Sequence, residues 1–245
     1  MCLILVILFP KTKPTMRTKV YIFVLFIASL LVWSCNNEPM KENRAYTYLA
    51  LGDSYTIGES VLEKERFPVQ LVDSLEGYNL TFGAPKIIAT TGWTTDELAA
   101  GIEDTTLQPP YDLVTLLIGV NNQYRGRSVE NYRDEFVALL QQAIDFAGGH
   151  PEQVVVVSIP DWGVTPFAEG RDREQIAKEI DQYNRVNKEE SFKVGTGYVD
   201  VTPISREAAS DSTLVAEDGL HPSGKMYARW VELLIPEVQK RLTKK

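Results

Sequence analysis

The sequence predicts an α/β domain, a three-layer α/β/α sandwich built on a five-stranded parallel sheet. Three observations predict it. Short apolar runs alternate with longer amphipathic segments from Tyr46 onward, the pattern of strands joined by helical crossovers. The runs at 112–118 and 154–159 are apolar at almost every position, as strands covered on both faces are. Crossovers of this kind are right-handed, which leaves a flavodoxin-like arrangement as the leading topology.

Each element has its own signal. Residues 46–51 are apolar and aromatic and read as the first strand, ending in Gly52-Asp53-Ser54. Phe67, Leu71, Val72 and Leu75 recur at helical spacing over 64–75, with Pro68 in the first turn, where its missing N–H costs nothing. Residues 86–89 are extended and lead to Thr91-Gly92-Trp93-Thr94-Thr95. Thr95 or Asp96 caps a short helix over 97–103. The run 112–118 is a strand closed by Gly119-Val120-Asn121-Asn122. Ser128 caps a long helix whose stripe is Tyr132, Phe136, Leu139, Leu140, Ala143 and Ile144. Gly148-Gly149 ends that helix, and the strand at 154–159 runs into an irregular loop, 160–170. A helix over 171–192, a short strand over 197–201 and a loop-rich stretch over 205–219 follow. The last helix, 223–242, is expected to break near Pro236. No internal repeat or low-complexity region interrupts the series.

The first 35 residues are different in kind. Lys11, Lys13, Arg17 and Lys19 are basic, and no Asp or Glu occurs before Glu38. Residues 20–33 form an apolar run of 14, shorter than the roughly 20 that span a bilayer but suited to a secretory signal. The run ends Leu31-Val32-Trp33-Ser34-Cys35. This resembles a bacterial lipoprotein signal, which implies that Cys35 carries lipid and is the first mature residue. Met16-Arg17-Thr18-Lys19 makes a tidier start than Met1. The division expected is a signal over 1–35, a polar tether over 36–45 and one domain over 46–245. The protein is then exported and lipid-anchored to a bacterial envelope membrane. Cys2 and Cys35 are the only cysteines, so the mature domain has neither a disulfide nor a cysteine metal site. The net charge of the chain is −8, and without residues 1–35 it has 21 basic against 33 acidic side chains, a net charge of −12. A domain this acidic repels phosphate backbones, which excludes nucleic acid as the expected partner.

Parallel strands share one carboxyl edge, where ligands bind in open α/β sheets. Ser54 follows the first strand there, Asn121 follows the third, and the loops holding Gly92 and Trp162 open on the same edge. A serine nucleophile needs a base within hydrogen-bond reach. His150, in Gly148-Gly149-His150-Pro151, sits at the opposite, amino edge and reads as a turn residue. His221, in Asp218-Gly219-Leu220-His221-Pro222, can reach Ser54. Asp218, three residues earlier, is spaced to hold one imidazole nitrogen and leave the other free. The amides of Ser54 and Gly92 and the Asn121 side chain are candidate oxyanion donors. Plainer readings stay open for each: Asp53 and Ser54 as helix caps, Gly92 and Asp218-Gly219 as turns, Asn121 as a cap. Trp93, Tyr124, Trp162 and Phe167 are candidate substrate-contact residues, or simply core.

Four blocks, Gly52-Asp53-Ser54, Thr91-Gly92-Trp93-Thr94-Thr95, Gly119-Val120-Asn121 and Asp218-Gly219-Leu220-His221-Pro222, occur in the order found in the SGNH hydrolases, also called GDSL esterases/lipases. The chain resembles that family from about Leu49 to the final helix. The resemblance implies Ser54 as nucleophile, Gly92 and Asn121 as oxyanion donors, His221 as base and Asp218 as its partner, with no metal or cofactor. Tyr55 stands where the motif name has leucine, and Asn122 where aspartate is common; neither alters the implied mechanism. The expected activity is hydrolysis of carboxylic esters, with a lean to short acyl groups such as acetyl on a glycan. A lysophospholipase or thioesterase is the alternative. From another class comes a non-catalytic glycan-binding lipoprotein on the same scaffold. A phosphate-binding loop at 52–58 is disfavoured, because the lysine of a nucleotide P-loop is missing.

Overall fold

The computed structural model describes residues 44–242; the expectations for Cys2, Met16, Cys35 and most of the tether fall outside them. Five strands, β1 (Tyr48–Gly52), β2 (Lys86–Ala89), β3 (Leu113–Leu117), β4 (Val154–Val157) and β5 (Gly197–Val199), form one sheet in the order β2-β1-β3-β4-β5. Every pairing is parallel. The strands β1, β3 and β4 are buried at each position, because helices cover both faces. The α-helices are α1 (Ser54–Ile57), α2 (Phe67–Glu76), α3 (Thr95–Glu103), α4 (Val120–Tyr124), α5 (Val129–Phe146), α6 (Arg173–Val194), α7 (Thr202–Arg206) and α8 (Gly224–Leu242). On one side α2 packs against α8; on the other α3, α5 and α6 pack in series. The three-layer sandwich with a five-stranded parallel sheet is therefore present.

The layers differ in how they fill. Under α8 lies an aromatic cluster: Trp230 stands edge-on to Tyr227 at 5.0 Å, with Phe67 and Tyr55 beside it. Between α5 and α6 the Tyr132 and Tyr183 rings stack at 4.4 Å, and the buried Tyr132 hydroxyl lies within hydrogen-bond reach of Ile118 O and Asn187 Oδ1. Buried hydroxyls need such partners.

Three sequence expectations change. The cap of α3 is Thr94 rather than Thr95 or Asp96: its hydroxyl and backbone amide both meet the Glu97 carboxylate, and the helix starts two residues early. The loop-rich stretch after β5 holds α7 and two 3₁₀ turns. Pro236 lies inside α8 and does not end it. The carbonyl it deprives of a donor belongs to Glu232, an exposed residue whose carbonyl water can serve. The buried face, with Val231, Leu234 and Val238, runs on unbroken.

The order of strands sets the location of the site. From β1 the chain goes to β2 on one side and then to β3 on the other, so the crevice between the β1 and β3 ends is the topological switch point. Gly52 and Leu117 are paired at those two ends. A Cβ at Gly52 would run into the Leu117 carbonyl and the Thr56 hydroxyl, so this position needs glycine for the close approach.

Candidate active site

Ser54 is the first residue of α1 and is 4% exposed. The helix is capped by Asp53, whose Oδ1 accepts from Tyr55 N at 3.0 Å. The capping role and the exposed-edge role thus fall on neighbouring residues. The first amides of a helix have no partner within it, and among the described residues no acceptor takes the Ser54 N–H. Asp53 itself is fully buried, and its Oδ2 has no hydrogen-bond partner. Burial pushes its carboxyl up to about 7, against the pull of the Tyr55 and Asp53 backbone amides. Retaining the proton keeps an unpaired charge out of the core.

The loop after β2 brings Gly92 to the same place. Its φ of 90° lies in the left-handed region, and a Cβ there would meet nothing within 4 Å; glycine is required by conformation, not by crowding. Its N–H has no acceptor among the described residues. Its carbonyl accepts from Arg125 Nη2 at 2.7 Å, and Arg125 Nη1 holds Glu97 at 3.0 Å. Asn121, in the first turn of α4, donates one Nδ2 hydrogen to Trp93 O at 2.9 Å, which leaves its second hydrogen for a ligand. Asn122 is fully buried and holds Thr95 through both ends of its amide, so it ties α4 to α3 and takes no part in the crevice.

The histidine side is a closed turn. Val215 and Pro222 form an antiparallel bridge, Ala216 N donates to His221 O at 2.7 Å, and Gly219 takes a φ of 73°. Inside it, Asp218 Oδ1 accepts the amides of Leu220 and His221 at 2.9 and 3.0 Å. Asp218 Oδ2 lies 2.6 Å from His221 Nδ1. A second donor, the Ser60 hydroxyl, reaches the same oxygen at 2.7 Å. Burial raises the Asp218 carboxyl, but the bonds from His221, Ser60 and the two amides outweigh it and hold the group well below the usual carboxylate range. Asp218 is therefore ionised throughout the neutral range. A carboxylate on Nδ1 fixes that nitrogen as the donor and leaves Nε2 as the acceptor.

Ser54, Gly92, Asn121 and His221 line one cavity of about 190 Å³. Its wall is apolar, with Val120, Leu220 and three of the four aromatic candidates, Tyr124, Trp162 and Phe167. Trp162 is buried, and its Nε1 donates to Gln123 at 2.8 Å. Tyr124 and Phe167 are exposed at the rim. Trp93 is the correction: its ring lies over Gly101 of α3, and only its carbonyl serves the site. No hydrogen bond joins Ser54 Oγ to His221 among the described residues; such pairs often tighten only with substrate present. His150 is exposed and faces Glu152 at 3.0 Å at the amino edge, outside the cavity. Among the described residues no group of three or more His, Cys, Asp or Glu side chains is placed to hold a metal.

Sequence reasoning did not find Ser60, Arg125 or Arg171. Ser60 has a left-handed φ of 63° and is 158 residues from its partner Asp218. Arg171 projects its guanidinium over the aromatic wall. No local motif marks any of them.

Residues 50–229 match the GDSL-like lipase/acylhydrolase family. No curated protein matches the chain significantly. Among solved structures, a psychrotrophic esterase from Pseudoalteromonas sp. is 16% identical with a TM-score of 0.63, over 81% of this chain and 99% of that one. A lipase/acylhydrolase from Enterococcus faecalis is 20% identical with a TM-score of 0.63, over 82% and 98%. An acetylxylan esterase from Geobacillus stearothermophilus is 19% identical with a TM-score of 0.58, over 83% and 96%. At these identities the structural matches speak to the fold. The family match covers most of the chain, and with it the serine, glycine, asparagine and histidine blocks that meet in the cavity: the protein belongs to the GDSL-like lipase/acylhydrolase family and is a carboxylic ester hydrolase.

Proposed function

We propose that the protein is a serine esterase acting through an acyl-enzyme on short acyl groups, such as acetyl carried by a carbohydrate. The observation that carries this reading is the meeting, in one cavity, of Ser54, two unengaged amides and a histidine held by Asp218. His221 Nε2 takes the proton of Ser54 Oγ as that oxygen attacks the ester carbonyl. The amides of Ser54 and Gly92 and the free Nδ2 hydrogen of Asn121 receive the developing oxyanion. The imidazolium, stabilised by Asp218, returns its proton to the leaving alcohol. Water then attacks the acyl-Ser54 ester by the same route and releases the acid.

Cavity size supports the short acyl group. About 190 Å³ is below the roughly 300–1,000 Å³ typical of ligand pockets. Exposed aromatic rings at the rim suit stacking on a sugar. The apolar wall favours a second reading, a lipid acylhydrolase. A series of p-nitrophenyl esters from acetate to decanoate separates the two. The expected result is the highest kcat/KM at two to four carbons, roughly the length the cavity admits; an optimum at eight or more carbons establishes the lipid reading instead.

Placement at a membrane rests on residues 20–35 alone. No helix of the described residues is long and apolar enough to cross a membrane, so attachment in this proposal comes from lipid on Cys35. Palmitate incorporation in the bacterial host should be lost in Cys35→Ser; incorporation equal to wild type contradicts it.

A further inference from the structure

We propose that Arg171 selects esters carrying a carboxylate near the scissile bond, such as an acylated acidic sugar. This inference rests on the esterase reading and names the substrate class of that same site. The guanidinium carbon lies 5.0 Å from the Tyr124 ring centroid, 5.4 Å from Trp162 and 5.5 Å from Phe167. Those three rings are the aromatic wall of the cavity that holds Ser54 and His221. Nη2 donates to the Tyr124 hydroxyl at 3.0 Å. Stacking on the rings orients the planar fork without consuming most of its donors.

The charge of Arg171 is left without a carboxylate partner. Arg125, Arg127, Arg133, Arg206, Arg229 and Arg241 each pair with a carboxylate. Among the described residues Arg171 pairs with none. In a domain that is acidic overall, Arg171 is an exposed cation resting on the aromatic wall of the site. Its donors match a carboxylate in the bidentate geometry that arginine favours. A single guanidinium answers a single negative charge. A phosphate dianion would also face Asp218 and Glu59, close to the same lining through His221 and Thr91.

The test uses two chromogenic acetates that differ by one charge, 4-acetoxy-3-nitrobenzoate and its methyl ester, with wild type, Arg171→Gln and Arg171→Lys. The expected result for wild type is a KM about fivefold lower for the anion, the upper range for an exposed ion pair. The preference shrinks in 0.5 M NaCl by screening, roughly as an exposed pair should. Arg171→Gln abolishes the preference by raising the anion's KM toward that of the methyl ester, and Arg171→Lys retains part of it. Equal KM values in wild type overturn the proposal. So does an equal loss on both esters in Arg171→Gln, which makes the arginine a clip on the aromatic wall. Failure of the esterase reading looks different: Ser54→Ala would then hydrolyse both acetates at the wild-type rate.

Discussion

Ser54→Ala is expected to lower kcat/KM on p-nitrophenyl acetate by about 10⁴-fold or more, the loss typical when a nucleophile that works as part of a unit is removed. The structure separates this effect from folding. Asp53 caps α1 through Tyr55 N, so the helix keeps its start without the serine. The Ser54 hydroxyl has no hydrogen-bond partner among the described residues, and alanine leaves no orphaned donor behind. The amides of Ser54 and Gly92 stay in place, so a small residual rate above water remains. Unchanged thermal melting with lost turnover is the expected pair of results. Turnover within tenfold of wild type, about 1.4 kcal/mol, contradicts the nucleophile assignment.

Asp218→Asn is expected to cost about 10³–10⁴-fold in kcat, comparable to the amide substitution in a serine-protease triad. The reason lies in which atom each oxygen serves. Oδ1 accepts two backbone amides, from Leu220 and His221. An asparagine keeps its carbonyl there, since an NH₂ group facing two N–H donors is repelled. Its NH₂ then faces His221 Nδ1 and the Ser60 hydroxyl, where Oδ2 stood. Nδ1 becomes an acceptor and Nε2 carries the proton. That imidazole cannot take a proton from Ser54. The pH profile adds a check. The bonds to Asp218 hold it well below the ordinary carboxylate range, so it stays charged as pH falls from 8 to 5, about the interval in which an imidazole titrates. An acid limb of wild-type kcat/KM in that interval therefore does not come from Asp218. Asp53, raised to about 7 by burial, titrates in the same interval. An acid limb that vanishes in Asp53→Asn assigns it to Asp53, and one that survives excludes Asp53 as its source.

Much of this was legible in the chain. Buried parallel strands are uninterrupted apolar runs, so β3 and β4 stand out from composition alone. Ser128 caps α5 as expected, accepting from Asn131 N at 3.1 Å, because capping is a local interaction. The serine, glycine and asparagine blocks are legible because each follows a strand end, and strand ends share an edge. What was not legible depends on contacts distant in sequence. Ser60 meets Asp218 only after the whole sheet has formed, and its left-handed backbone would have suggested glycine. Arg171 is the first residue after a loop glycine and looks like ordinary helix-start polarity. Trp93 sits inside a motif, yet its ring is used for packing on Gly101 while its backbone carbonyl anchors Asn121. Pro236 carries a local signal that tertiary packing overrides, since α8 buries its apolar face on both sides of it.

The central claim is that Ser54 is the nucleophile of an acyl-transfer site, and a fluorophosphonate probe tests it most directly. The reagent phosphonylates only a serine made nucleophilic by its neighbours, and intact and peptide mass spectrometry locate the adduct. The expected result is one adduct per chain, on the peptide containing Ser54, lost in Ser54→Ala and formed far more slowly in Asp218→Asn. An unlabelled Ser54, or an adduct on another serine, contradicts it.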